Sequence, residues 1–135
     1  MLSLGVRGRV AATAVLLFAL FGLAACGQSA KSPYAFSAAS EDVPLKGGGV
    51  IDVRIVHEPT NKPVENAVIF ETRFDMDPDS MGEMTAPVTA QGSPSPGVYR
   101  FAVQPTMGGR WALKLGAKIQ GEADTVRGSV IVTAR

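Results

Sequence analysis

Val50-Ile51-Asp52-Val53-Arg54-Ile55-Val56-His57 is the stretch that decides the fold. Ile51, Val53 and Ile55 fall on one side of an extended chain, and Asp52 and Arg54 on the other. A period of two marks a strand with one face buried. The pattern recurs downstream. Val98 to Gln104 sets Tyr99, Phe101 and Val103 against Arg100, and Arg110 to Lys118 sets Trp111, Leu113 and Leu115 against Lys114. Val126 to Thr133 offers Val126, Val130 and Val132 as inward residues. Two more extended runs lie in between. Val64 to Met76 places Val68, Phe70, Thr72 and Phe74 on one face, opposite Glu71, Arg73 and Asp75. Met84 to Ala90 contains Pro87, which confines it to an edge or a bulge. Turns are expected at 58–63, 77–83, 91–97, 105–109 and 119–124. No segment after residue 26 holds a helical period. The expectation is an all-β, immunoglobulin-like antiparallel β-sandwich of six or seven strands. No cysteine pair exists to bridge its sheets. Trp111, Phe70, Phe74, Tyr99 and Phe101 are expected to supply much of the core.

Upstream the chain changes character. Arg7 and Arg9 precede the apolar run 10–25, whose sixteen residues fall short of the ~20 that span a bilayer comfortably. A basic start, a short apolar middle and small residues at the exit describe a secretory signal. The run closes on Leu23-Ala24-Ala25-Cys26, and Cys26 is the only cysteine. This resembles a bacterial lipobox, which implies a diacylglycerol on Cys26 and cleavage that makes it the first mature residue. An uncleaved anchor and cleavage to a soluble protein are the alternatives. The second would leave Cys26 an unpaired thiol in an oxidising compartment. The lipobox implies an extracytoplasmic protein held to a membrane by its N-terminal lipid. That places it on the periplasmic side of an outer or inner membrane, or on the outer face of a single one.

Three parts are therefore expected: a lipoprotein signal at 1–25, a lipid-anchored flexible spacer at 26–47, and a sandwich domain at 48–135. Ser, Ala, Gly, Lys and Pro dominate the spacer, with Tyr34 and Phe36 able to pack back on the body. Thirteen basic residues face twelve acidic ones, and loss of Arg7 and Arg9 with the signal leaves eleven. Such a balance offers no broad basic surface, so nucleic acid is not an expected partner.

Certain motifs in the body resemble a family. Lys62-Pro63-Val64-Glu65-Asn66-Ala67 leads into an alternating strand, then Phe74-Asp75-Met76 and Met81-Gly82-Glu83-Met84. Pro96-Gly97-Val98-Tyr99-Arg100 is followed by Met107-Gly108-Gly109-Arg110-Trp111 and another strand. In this order the motifs, over about residues 48–133, are similar to the YtkA-like (FixH-related) domain. The resemblance implies a small secreted or membrane-anchored β-sandwich, found beside copper-handling, oxidase-assembly and heavy-metal efflux proteins. This sequence carries Glu83 where many members resemble one another in having a histidine.

Met76, Met81, Met84 and Met107 are all the methionines beyond the signal. In an up-and-down path, the loop after Met76 and the turn at 105–109 fall at the same end of the sandwich. The four thioethers would then share one pole, with Asp75 or Glu83 nearby. Thioethers are soft ligands suited to Cu(I). Methionine is also an adaptable gap filler, and Met76 and Met107 can be read as plugs of the sandwich end. The same path sends His57 to the opposite pole, as a surface residue.

Asp75, Asp77, Asp79 and Glu83 resemble the start of a calcium loop. The positions that should hold glycine and glutamate hold Ser80 and Ala86, so the pattern fails. Histidine pairs, a nucleophile elbow and a phosphate-binding loop are all missing, so an enzyme is not expected. The expected function is a lipid-anchored binding module, accessory to copper or heavy-metal handling through a Met-lined loop end. The alternative is a metal-independent adaptor docking on a membrane transporter or an oxidase-assembly complex. A small-molecule carrier is a remote third, since an aromatic-filled core leaves little room for a cavity.

Overall fold

The computed structural model describes residues 31–135. The signal at 1–25 and the lipidation site Cys26 lie outside the described residues. Ten strand segments form two sheets. They are β1 (Tyr34–Ala38), β2 (Asp42–Val43), β3 (Gly49–His57), β4 (Lys62–Pro63), β5 (Val68–Met76), β6 (Met81–Ala86), β7 (Val88–Ala90), β8 (Val98–Val103), β9 (Gly109–Lys118) and β10 (Val126–Ala134). One sheet has the order β1-β3-β8-β7, with β4 also on β3; the other has β2-β10-β9-β5-β6. This is the immunoglobulin arrangement, in which the first, second, fifth and fourth main strands oppose the third, sixth and seventh. The fold is therefore an all-β immunoglobulin-like sandwich.

The alternating residues face each other across it. Ile51, Val53, Ile55, Phe101, Val103, Trp111, Leu113, Leu115 and Val132 are all buried. Phe74 stacks on Trp111 at 4.9 Å between centroids and 22° between planes. Such a pair adds about 0.5–1.5 kcal/mol beyond its area burial. Pro87 interrupts what reads as one extended run at 84–90. β6 ends before it in the second sheet and β7 begins after it in the first. A residue without an N–H sits where the chain leaves one ladder for the other.

Four expectations need correction. The spacer at 26–47 is shorter than read: Tyr34–Ala38 pairs antiparallel with Val53–His57, and Val43 is buried. Phe36 lies over Gly128, where any Cβ would overlap its ring, and that contact brings β1 onto β10. The sandwich is not wholly antiparallel, because β2 pairs parallel with the end of β10. Phe70 is not a core residue. The β5–β9 register shifts between Ile69 and Glu71, and the extra residue turns Phe70 outward to 55 % exposure. Finally, Asp75 is completely buried instead of solvated, for reasons that belong to the site.

Candidate functional site

β5 runs toward one pole and β9 runs away from it, with Asp75 opposite Ala112. The chain turns after β5 through a 3-10 turn at Asp77–Asp79, with Ser80 left-handed at its end (φ 60°). Met81 then pairs with Met76. From the other side, the turn between β8 and β9 brings Gly109 against the same residue: a Cβ on Gly109 would sit 2.6 Å from the Met76 methyl. Residue 107 thus lies at the pole that holds 76 and 81. Met76 is fully buried, whereas Met81, Met84 and Met107 are 37 %, 42 % and 39 % exposed. The first fills the end of the core, and the other three lie partly exposed at the surface. Met84 lies inside β6, opposite the ladder shift between Asp75 and Met76. Glu83 is exposed beside it.

A charge network fixes this pole. Arg73 Nε donates to Asp75 Oδ2 at 2.6 Å, and Lys114 Nζ donates to the same oxygen at 3.1 Å. The Asp77 N–H donates to Asp75 Oδ1 at 3.2 Å. Both oxygens of the buried carboxylate are therefore taken. Burial pushes the Asp75 carboxyl up, but the hydrogen bonds from Arg73, Lys114 and the Asp77 amide outweigh it and hold the group below the usual carboxylate range. Lys114 also reaches Asp77 Oδ2 at 3.2 Å, and its two carboxylate partners hold its ammonium above the usual lysine range. Arg73 Nη2 donates to the Gly82 carbonyl at 2.7 Å, which pins the segment between Met81 and Met84.

Asp79 ties the neighbouring strand. It accepts the Arg110 N–H and Nε, each at 2.8 Å, and these bonds lower its pKa. Trp111 Nε1 donates to the Met107 carbonyl at 3.1 Å, so the core indole holds the second methionine turn. The sequence reading missed these ties. A charge on a strand reads as solvent-facing, and Lys114 lies 39 residues from Asp75. The only signal was that Arg73 and Lys114 alternate with apolar neighbours on strands that prove adjacent.

The donor set at this pole has two parts. The three partly exposed methionines carry thioethers, soft ligands that suit a cation such as Cu(I), whereas the exposed Glu83 carboxylate is a hard donor. Asp75 does not join them, because its lone pairs are already committed to Arg73, Lys114 and Asp77. The acidic residues likewise do not make a calcium cage: Asp75, Asp77 and Asp79 are each paired with a cation of the chain. Among the described residues, no three His, Cys, Asp or Glu side chains converge as a metal cluster. His57 is at the other pole, its ring 5.2 Å from that of Tyr34 and its Nδ1 2.8 Å from Thr60 Oγ1. Tyr34 in turn donates to Glu122 at 2.7 Å. Among the described residues, no helix is long and apolar enough to cross a membrane.

Fold and site together define a small immunoglobulin-like module with a loop pole built from methionines and paired charges. The profile of the YtkA-like family matches residues 28–116, and the chain belongs to that family. The match begins upstream of β1, in keeping with β1 and β2 being part of the domain. No curated protein matches the chain significantly. Among solved structures, the ZirS C-terminal domain is similar with a TM-score of 0.48 and 11 % identity, over 98 % of this chain and 87 % of that one. The filamin domain of Lin-41 is similar with a TM-score of 0.44 and 14 % identity, over 77 % of this chain and 93 % of that one.

Proposed function

We propose that this chain is a lipid-anchored, extracytoplasmic, non-catalytic binding module. It serves copper or heavy-metal handling through Met81, Met84 and Met107, with Glu83 beside them. The observation that carries the reading is the placing of three partly exposed methionines at one pole, two on β6 and one in the turn before β9, while Asp75, Asp77 and Asp79 there are paired with the chain's own cations. A site whose donors are thioethers, with Glu83 the one carboxylate at this pole not paired with a cation among the described residues, favours Cu(I) over zinc or calcium. Met76 backs this lip from the core.

Chain geometry supports a direction for it. Only residues 27–33 separate Cys26 from β1, at most about 25 Å of extended chain. β1 begins at the pole of His57. The ten residues of β9 run about 30 Å between poles. With lipid on Cys26, the His57 pole faces the membrane and the methionine pole faces away from it, toward soluble partners or the outer domains of a membrane protein.

The test is an anaerobic titration of the mature protein with Cu(I) against a chromophoric chelator. The wild type is expected to compete, and M81L/M84L/M107L to lose competition while keeping its melting temperature. Equal behaviour of the two ends the metal reading. A second reading, the metal-independent adaptor, is favoured by the same exposed methionines, since such surfaces suit adaptable protein contacts. Co-purification with a membrane transporter or oxidase-assembly protein, unchanged by a copper chelator, selects it.

A further inference from the structure

The lower half of β5 is open. Away from β9, β5 pairs with β6 only over Phe74–Met76, so residues 68–73 have no ladder partner on that side among the described residues. Beside this edge lies a groove of about 620 Å³. Ala67, Ile69, Tyr99 and Phe101 line it, and the loop 92–97 forms its far wall. The two most exposed large apolar side chains among the described residues flank the same edge: Val68 at 62 % and Phe70 at 55 %. The groove is rigidly framed. The Tyr99 hydroxyl donates to the Val64 carbonyl at 2.7 Å and accepts the Ala67 N–H at 2.9 Å. Ser93 Oγ closes the loop on the Ser95 and Val98 carbonyls.

Free backbone donors and acceptors beside an apolar trough fit one kind of guest, an extended strand. Its alternate side chains would drop onto Ile69 and Phe101 on one face and cover Val68 and Phe70 on the other. Charge selects further. Arg100 at the rim is held by both oxygens of Asp52 at 2.8 Å each, whereas Glu65 has no cation partner among the described residues. The charge left to meet a guest is negative. We propose that the open edge of β5 is a β-augmentation site for an extended segment of a partner protein, with alternating apolar residues and a basic residue set against Glu65. The site is separate from the methionine pole, and its outcome leaves the metal reading untouched.

The probe is a synthetic heptapeptide, acetyl-Val-Lys-Val-Thr-Val-Lys-Val-amide, titrated into ¹⁵N-labelled mature protein and followed by amide chemical shifts. Shifts are expected on 65–73 and 92–97 and not at 81–84 or 107. N-methylating alternate amides of the peptide, which removes its ladder donors, should weaken binding at least about tenfold. Glu65→Lys should weaken it about threefold and shift preference to a Glu-for-Lys peptide. Phe70→Asp should abolish it in a protein that still melts cooperatively, with Val68→Lys as the substitute if that variant unfolds. Absence of binding at millimolar peptide, or equal affinity of the N-methylated peptide, overturns the proposal. So do concentration-dependent shifts of the same amides without peptide, which would make a second copy of the chain the occupant.

Discussion

At Phe74 and Asp75, β5 has a neighbour on both sides; between Val68 and Arg73 it has β9 alone. The upper part ends in a fully buried methionine and a fully buried carboxylate, and the lower part exposes a valine and a phenylalanine. The bulge at Phe70 lies in the lower part. The contrast shows how a single strand sets up two kinds of surface. Where the chain satisfies the charges of Asp75, Asp77 and Asp79, through Arg73, Lys114 and Arg110, methionine side chains and Glu83 are what stay outside. Where it leaves a ladder edge unpaired, backbone polarity and hydrocarbon stay outside together, which is the raw material of strand addition.

Breaking the upper part should cost most. Met76→Ala removes a completely buried side chain wedged against Gly109 and should destabilise by about 2–4 kcal/mol, read from urea denaturation. Asp75→Ala leaves Arg73 and Lys114 without their shared oxygen. Both cations are partly in water, so the loss should be roughly 2 kcal/mol, below that of a fully buried pair. The same carboxylates set the acid limit. Asp52, Asp75 and Asp79 all have pKa values lowered by folding. A lowered native pKa stabilises above the unfolded value, about 3.9, and that contribution is lost as pH falls through the folded value. Stability should therefore be level from neutrality to about pH 5 and drop below about pH 4. Asp75→Asn should flatten that drop, and an unchanged acid slope would show that the network does not couple to folding.

Most of the fold was legible because burial alternates on β3, β8 and β10, and on β9 the large apolar residues alternate although Ala112 and Gly116 between them are buried too. The inward sets Ile51-Val53-Ile55 and Trp111-Leu113-Leu115 follow from period two alone. The errors have identifiable causes. Phe70 was misplaced because one bulged residue inverts the parity of everything before it, and a bulge leaves no mark in the hydrophobic pattern. β1 was hidden among Ser and Ala, although Tyr34, Phe36 and Ala38 do alternate. β2 is two residues long and owes its existence to β10, so no local signal could announce it. The common pole of the two methionine turns was readable from strand direction. The burial of Asp75 was not, since beside Arg73 and the Asp77 amide it depends on Lys114 from a different strand.

In the lower half the effects shrink, and they separate two roles for Tyr99. Tyr99→Phe keeps the ring over the core and deletes two hydrogen bonds, to Val64 and Ala67. It should cost about 1–2 kcal/mol and loosen the 64–67 turn, seen as faster amide exchange at Ala67.

Phe70→Ser sharpens the contrast furthest, because the two readings of that residue differ in magnitude. A phenylalanine in the core would cost about 3–5 kcal/mol on truncation. One turned out by a bulge and more than half in water should cost within about 0.5 kcal/mol, as surface changes do. The denaturation midpoint should therefore stay close to that of the wild type, while Phe74→Ala, four residues along the same strand and stacked on Trp111, collapses it. A large loss at residue 70 would mean that the edge is covered in solution and that the lower half of β5 is built like the upper.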